Sequence, residues 1–185
     1  SFSWTRAAVT GISTPASSGT GSISETLTNT TPLPVTVTYN YTLIANGCTN
    51  TQSFTLVVNP TPQLSTSLTG VICSDDAFVY NPASATPGTT VTWTRAQVSG
   101  ITPATSSGKG AINEVLTNST AQDINVTYVY TLTANGCSNT QNVVLTVHPT
   151  PVIATISVKP ANTVCEQTMY QNFGASLPAP AGSSY

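Results

Sequence analysis

The residues of this sequence with the most distinctive chemistry are its four cysteines, Cys48, Cys73, Cys137 and Cys165. Several cysteines in a chain with the composition of an exported protein suggest structural disulfides. A zinc site would need clustered Cys or His ligands, and the chain has one histidine. A redox-active pair would favour a Cys-x-x-Cys spacing, which is absent from the sequence. The sequence therefore favours disulfides, with no metal and no cofactor.

The charged residues suggest structural ion pairs rather than acid–base catalysis. Arg6 with Glu25, and Arg95 with Glu114, are the recurring opposite charges. We predict that each pair lies at the edge of a core, with its arginine near a tryptophan; ligand recognition is the alternative. No second recurring carboxylate accompanies either glutamate, and His148 is interpreted as a solvated residue beside a linker. We therefore predict no catalytic residues and no enzyme.

An internal repeat explains why these residues come in pairs. Residues 1–62 align without gaps with residues 90–151, at an offset of 89, and 35 of the 62 aligned pairs are identical. We predict the back part of one repeat (1–62), a complete repeat (63–151) and the front part of another (152–185), called below the first, second and third units. A repeat of about 89 residues is close in size to an immunoglobulin-like sandwich.

The repeat also suggests how the cysteines pair. The second unit contains Cys73, just after its first predicted strand, and Cys137, just after an Asn-Gly turn. We predict a disulfide between these two, which would stabilise the unit by roughly 3–4 kcal/mol. Cys48 and Cys165 would then pair with cysteines outside these residues or in a neighbouring molecule.

Alternating apolar positions predict an all-β fold with about seven strands per unit. Residues 124–132 and 143–147 alternate with the period of two that is typical of half-buried strands. Residues 102–110 have the composition of a connecting loop, and a ligand-binding tip is the alternative. The inward pattern includes six aromatic residues, which we predict to be structural core: Trp4, Trp93, Tyr39, Tyr41, Tyr128 and Tyr130.

The composition argues against several classes of function. Charged residues make up 5% of the chain and only four residues are basic, which predicts no nucleic-acid binding. No apolar run approaches the roughly 20 residues of a membrane-spanning helix, so no membrane insertion is predicted for this segment. Calcium binding at Asp75-Asp76 and glycosylation remain open. The Asn-x-Ser/Thr sequences begin at Asn29, Asn40, Asn118 and Asn125.

Several motifs resemble those of the PKD-like repeats of giant Bacteroidetes cell-surface proteins. They are TWTRA at 92–96, SSGxG at 106–110, IxExLTNxT at 112–120, YTLxANGCxNTQ at 130–141 and a final Pro-Thr-Pro. The WxFGDG segment typical of PKD domains is replaced by TWTRA. These repeats are similar to the adhesins of gliding motility, which are exported by the type IX secretion system. The resemblance covers the whole chain and implies tandem immunoglobulin-like sandwiches linked end to end as a rod on the outer surface of a Gram-negative cell.

These observations predict a structural repeat segment of an extracellular adhesin or filament, acting as a disulfide-stapled stalk for adhesion or gliding. Its partners would be the neighbouring repeats, because Pro-Thr-Pro linkers leave little slack. Two alternatives remain open. The units could present loops to surface glycans or polymers. Residues 152–185 of one molecule could instead complete residues 1–62 of the next by strand addition, with Cys165 bonded to Cys48, which would give a self-assembling filament.

Overall fold

All of the regular structure that we describe is β-strand. The computed structural model describes residues 1–151, 155–158 and 173–176, and no helix occurs among them. The prediction of an all-β fold is therefore confirmed for this part of the chain. The high content of β-branched residues explains this outcome, because such side chains pack well on a pleated surface.

The first unit forms a four-stranded antiparallel sheet in the order β2-β1-β3-β4. Its longest strands form a hairpin that turns at Asn46-Gly47, where both residues have positive φ, as a two-residue hairpin turn requires. The strands are β1 (Phe2–Arg6), β2 (Ser17–Thr20), β3 (Val35–Ala45) and β4 (Cys48–Val58).

The second unit adds a sheet of five strands in the order β5-β13-β12-β7-β9, together with the pairs β6–β10 and β8–β11. β5 pairs parallel with β13, whereas the other pairs are antiparallel. The strands are β5 (Thr69–Cys73), β6 (Ala77–Tyr80), β7 (Thr90–Arg95), β8 (Ile101–Thr102), β9 (Ser106–Lys109), β10 (Ile112–Val115), β11 (Thr117–Asn118), β12 (Ile124–Ala134) and β13 (Cys137–His148).

The second unit therefore has nine strands where about seven were predicted. Two of them, β8 and β11, are only two residues long, which is too short for a periodic pattern to reveal. The segment 102–110, predicted as a loop, contains β9, which pairs with β7. Nothing in the sequence indicated this strand, because β9 is rich in Ser and Gly and contributes no large side chain to the core.

The second unit has a closed core between its five-stranded sheet and the β6–β10 pair. Phe78 of β6 lies 5.5 Å, ring centroid to ring centroid, from Tyr128 of β12. The inward positions of β12 and β13 are buried, in line with their alternating pattern. The core consists of Leu64, Phe78, Trp93, Ile101, Ile112, Leu116, Val126, Tyr128, Tyr130, Leu132, Val143, Leu145 and Val147.

The corresponding face of the first unit is open. Phe54 and Leu56 of β4 are 52% and 41% exposed, whereas their counterparts Val143 and Leu145 are fully buried. In the second unit this face is covered by residues of its front part, such as Leu64 and Phe78. None of the described residues provides an equivalent cover for β4, so its apolar side chains contact solvent.

The predicted Cys73–Cys137 disulfide is wrong. The parallel pairing places Cys73 beside His148, at the end of β13, whereas Cys137 begins the same strand. Eleven residue steps separate Cys137 from His148, which is about 36 Å in an extended strand. A disulfide tolerates a Cα separation of at most about 7 Å. Cys48, Cys73 and Cys137 have no disulfide partner among the described residues, and Cys165 lies outside them.

The third unit is described only over two short strands. β14 (Thr155–Val158) and β15 (Phe173–Ser176) form an antiparallel pair, with Thr155 opposite Ser176. The other predictions for residues 152–185 lie outside the described residues.

Candidate functional site

The segment that connects the first and second units is packed rather than free. Pro60 and Pro62 are buried, and Thr61 between them is exposed. Proline fixes φ near −65°, so a linker with two buried prolines has few alternative conformations. We call residues 59–64, together with Asn135, Asn139 and Gln141, the joint.

Two side chains of β13 fasten the linker to the second unit. Asn139 Nδ2 donates a hydrogen bond to the carbonyl oxygen of Pro62 at 3.0 Å, and the backbone N–H of Leu64 donates to Gln141 Oε1 at 2.6 Å. Asn139 and Gln141 lie on the same face of β13 as the buried Val143, because side chains alternate along a strand. The inward face of β13 is therefore apolar along the core and polar where the linker crosses the strand.

A third hydrogen bond joins the two units directly. Asn59 Nδ2, at the end of β4, donates to the carbonyl oxygen of Asn135 at 2.8 Å. Asn135 and Gly136 form the tip of the β12–β13 hairpin, both with positive φ. The next residue, Cys137, lines a groove together with Val58 and Asn59. The hairpin tip of the second unit thus contacts the end of the first.

The joint residues were not among the predicted site residues, although the sequence contains a signal for them. Asn50 and Gln52 of the first unit are identical to Asn139 and Gln141, at positions that share a face with core residues. In the first unit both are exposed and have no hydrogen-bond partner among the described residues. Identical polar residues on an otherwise apolar face indicate a contact that needs hydrogen bonds.

The second candidate site is a buried cluster of Arg95, Glu114 and Tyr128. Arg95 Nε donates to Glu114 Oε2 at 3.1 Å, and the Tyr128 hydroxyl donates to the same oxygen at 2.6 Å. The guanidinium carbon lies 6.0 Å from the centroid of the Tyr128 ring, so tyrosine rather than tryptophan is its aromatic partner. Arg95 Nη1 also donates to the carbonyl oxygens of Pro103 and Ala104, which ties segment 102–110 to the core.

The first unit contains the same cluster, made of Arg6, Glu25 and Tyr39. Arg6 donates to both carboxylate oxygens of Glu25, at 2.9 and 3.2 Å, and the Tyr39 hydroxyl donates at 2.7 Å. The hydrogen bond from Arg6 is the main reason that the pKa of Glu25 falls to about 2. The same hydrogen bond raises the pKa of Arg6, so the pair stays charged.

The charge states in the second unit follow the same logic. Burial opposes ionisation of Glu114, but hydrogen bonds from Ser106, Tyr128 and Arg95 prevail and lower its pKa. Burial, together with the hydrogen bond to Glu114, raises the pKa of Tyr128 well above its ordinary value. An acid that stays ionised and a phenol that stays protonated form a fixed electrostatic contact. Such a contact fits a structural role.

The remaining candidate residues have local partners. His148 Nδ1 lies 2.7 Å from Asp123 Oδ1, and both side chains are about half exposed. Asp75 accepts a hydrogen bond from the Thr117 hydroxyl in a turn at positive φ. In the part of the chain that the structure describes, no three His, Cys, Asp or Glu side chains gather into a metal site. The Asn118 amide donates to the Val147 carbonyl oxygen, so this glycosylation candidate is a buried structural residue.

The aromatic residues singled out in the sequence line the interior. Trp4, Trp93, Tyr39, Tyr128 and Tyr130 are buried, and Tyr41 is half-buried against the first core. No residue in the described ranges belongs to a helix that is long and apolar enough to cross a membrane.

A family model described as a PKD-like domain matches residues 1–63 and again residues 70–151. Domains of this description are typically extracellular and non-catalytic. No curated protein matches the chain.

Proposed function

Because the chain belongs to the family of PKD-like domains, we propose that it is a structural repeat segment of an extracellular adhesin or filament, with repeats joined end to end into a semi-rigid stalk. The stalk stands on the outer surface of a Bacteroidetes cell, reaches it by type IX secretion, and serves adhesion or gliding. The motifs at 92–96, 106–110 and 130–141 support this location, because they resemble those of such surface proteins. The segment acts as a spacer and carries no catalysis.

The joint is the observation that carries this proposal. A flexible linker between two domains would be exposed and would make few contacts. Here both prolines are buried, and Asn59, Asn139 and Gln141 each form a hydrogen bond across or onto the linker. The hydrogen bond of Asn59 spans the two units and contributes about 1 kcal/mol, and those of Asn139 and Gln141 hold the linker against the second unit, which leaves only the short stretch at Pro60 and Thr61 to bend. A stalk needs such stiffness to hold its end away from the cell.

The glycan-binding alternative has less support. Glycan recognition commonly uses an exposed aromatic ring as a flat apolar surface, but both tryptophans are buried and Tyr41 is half-buried. The exposed ring of Phe54 lies on the face of β4 whose counterpart in the second unit is covered by core residues. The 102–110 segment is tied to the core by Arg95, which argues against an adaptable binding tip.

Strand exchange is supported by one specific observation, the open face of β4. A segment from another molecule would bury Phe54 and Leu56, which are otherwise in contact with solvent. Sedimentation velocity of the 185-residue chain over a concentration series tests this second candidate. Head-to-tail polymers would support it, and a monomer at every concentration would rule it out.

The stalk proposal is tested by the tumbling of the two units in solution. In the 185-residue chain, ¹⁵N relaxation should give the first and second units one common rotational correlation time. Replacing Asn139 and Gln141 by alanine should separate the two correlation times and reduce the maximum dimension measured by small-angle X-ray scattering. The matched control replaces Asn50 and Gln52, which hold no linker among the described residues. Independent tumbling of the units in the unmodified chain would refute a semi-rigid stalk.

A further inference from the structure

The two cysteine positions of a repeat lie at opposite ends of the same strand. Cys73, the last residue of β5, lies beside His148 at the end of β13, and Cys137 begins β13. Cys73 is exposed and Cys137 is partly exposed, so both thiols are accessible. The distance along β13 prevents them from bonding to each other. Cys137 lies instead where the second unit meets the first, and Cys73 lies at the opposite end of the second unit, beside His148.

The repeat shows where the β5 cysteine of a complete first unit would lie. Asn59 follows β4 and is the counterpart of His148 at the offset of 89. A strand equivalent to β5 would pair with the free edge of β4 in the register seen in the second unit. Its last residue, a cysteine, would therefore lie beside Asn59, about 4.8 Å from the backbone of β4.

Cys137 of the second unit lies close to Asn59 as well. Asn59 donates its hydrogen bond to Asn135, two residues before Cys137, and Cys137 lines the groove that Val58 and Asn59 also border. A disulfide needs Cα atoms about 4.4–6.8 Å apart, which is the scale of one side-chain contact. The contact between the hairpin tip and the end of β4 thus brings two cysteines of neighbouring repeats to the same joint.

We propose that the disulfides of this protein join neighbouring repeats, from the cysteine at the end of β5 in one repeat to the hairpin-tip cysteine of the next. Cys137 bonds to the preceding repeat, and Cys73 bonds to the following one. By sequence position, Cys48 corresponds to Cys137 and Cys165 corresponds to Cys73. The inference rests on the end-to-end arrangement proposed above, and it adds a covalent connection at each joint.

The chemistry is thiol–disulfide exchange with a small-molecule or protein disulfide as the oxidant. A thiolate of one cysteine attacks the oxidant and forms a mixed disulfide, releasing one thiol of the oxidant. The second cysteine then attacks the mixed disulfide, which forms the S–S bond between the repeats and releases the other thiol. Two cysteine thiols lose two electrons and two protons, and the disulfide of the oxidant is reduced to two thiols.

The test uses the full chain with its first unit completed. Residues 63–89 are placed directly in front of Ser1, because residue 90 is the counterpart of residue 1. The added segment carries a copy of Cys73. After oxidation with oxidised glutathione, peptide mapping by mass spectrometry should find this cysteine bonded to Cys137. Cys137→Ser should abolish the bond, and Cys48→Ser should leave it intact.

Two results would overturn the proposal: the added cysteine bonded to Cys48, which is a bond within one unit, or the added cysteine still reduced in a folded chain. The relaxation experiment on the same protein reports joint stiffness separately. A stiff joint without a bond would refute the disulfide alone, whereas a loose joint would refute the stalk.

A second protein keeps the test valid if the extended chain does not fold. Residues 63–151 have a closed core, so two copies are joined in tandem. One variant carries Cys137→Ser in the first copy and Cys73→Ser in the second, which leaves the two cysteines that face the joint. The matched control carries the reverse substitutions, which leaves the two cysteines farthest from it. The first variant should form its intramolecular disulfide at least tenfold faster than the control does. Equal rates would contradict the proposal.

Discussion

Gly108 lies directly opposite Trp93 in the pairing of β7 with β9, and the indole ring covers the glycine. A Cβ atom at position 108 would lie 2.8 Å from Cζ2 of Trp93, which is closer than real contacts allow. The first unit repeats this arrangement, because Gly19 pairs with Trp4 and a Cβ there would lie 3.0 Å from the ring. The glycine in each SSGxG motif therefore makes room for the largest side chain of the core.

Gly108→Ala should destabilise the second unit by about 1–3 kcal/mol, because the indole ring must shift within a packed core. The free energy of unfolding in urea, followed by Trp93 fluorescence in a Trp4→Phe background, measures the loss. Ser107→Ala, at the exposed neighbouring position, should change it by less than about 0.5 kcal/mol. If Gly108→Ala lowers the free energy of unfolding as little as Ser107→Ala does, the contact with the indole ring does not constrain this strand.

Arg95→Met should destabilise the second unit by about 3 kcal/mol, because it leaves the Glu114 carboxylate without its cation in a mostly buried site. Thermal or urea unfolding detects this change. Lys109→Met removes the same charge from an exposed position of β9 and serves as the control. A loss below about 1 kcal/mol for Arg95→Met would show that the ion pair contributes little.

The first unit should lose stability in acid through Glu25. Its pKa is lowered from 4.5 to about 2, so its contribution is complete above pH 4.5 and is lost as the pH falls towards 2. Unfolding monitored by Trp4 in a Trp93→Phe background, at several pH values in this window, measures the slope. Glu25→Gln should be less stable at pH 6 and should show a smaller slope. An unchanged slope would mean that another group controls acid sensitivity.

Because one face of β4 is open, equivalent substitutions in β4 and β13 should lower the free energy of unfolding by different amounts. Leu145→Ala should destabilise the second unit by about 2–5 kcal/mol, because it creates a cavity in a closed core. Leu56→Ala, at the counterpart that is 41% exposed, should cost the first unit less than about 1 kcal/mol. Urea unfolding of the two variants compares them directly. Equal losses would show that β4 is covered in solution, as strand exchange requires.

The sequence was sufficient to predict the all-β class and the faces of the strands. Alternation with a period of two places Val126, Tyr128 and Tyr130 on one face whatever the strand order is, because the pleat allows no other arrangement. The Arg–Glu pairs were also visible, since a sequence with so few charges offers few other partners. Their tyrosine partners were not, because a hydroxyl–carboxylate contact depends on how β12 faces β10 across the core.

The tertiary structure alone decided which ends of the strands meet. Alternation shows which face of the sheet a side chain occupies. It does not show which residues of the neighbouring strand lie beside it, because that depends on strand order and direction. Cys73 and Cys137 looked like partners because both belong to one unit, yet the parallel pairing of β5 with β13 places them at opposite ends. The same geometry brings Asn139 and Gln141 to the linker and Cys137 to Asn59. Each of these contacts joins residues about 77 positions apart, and no local pattern in a sequence specifies a pairing at that distance.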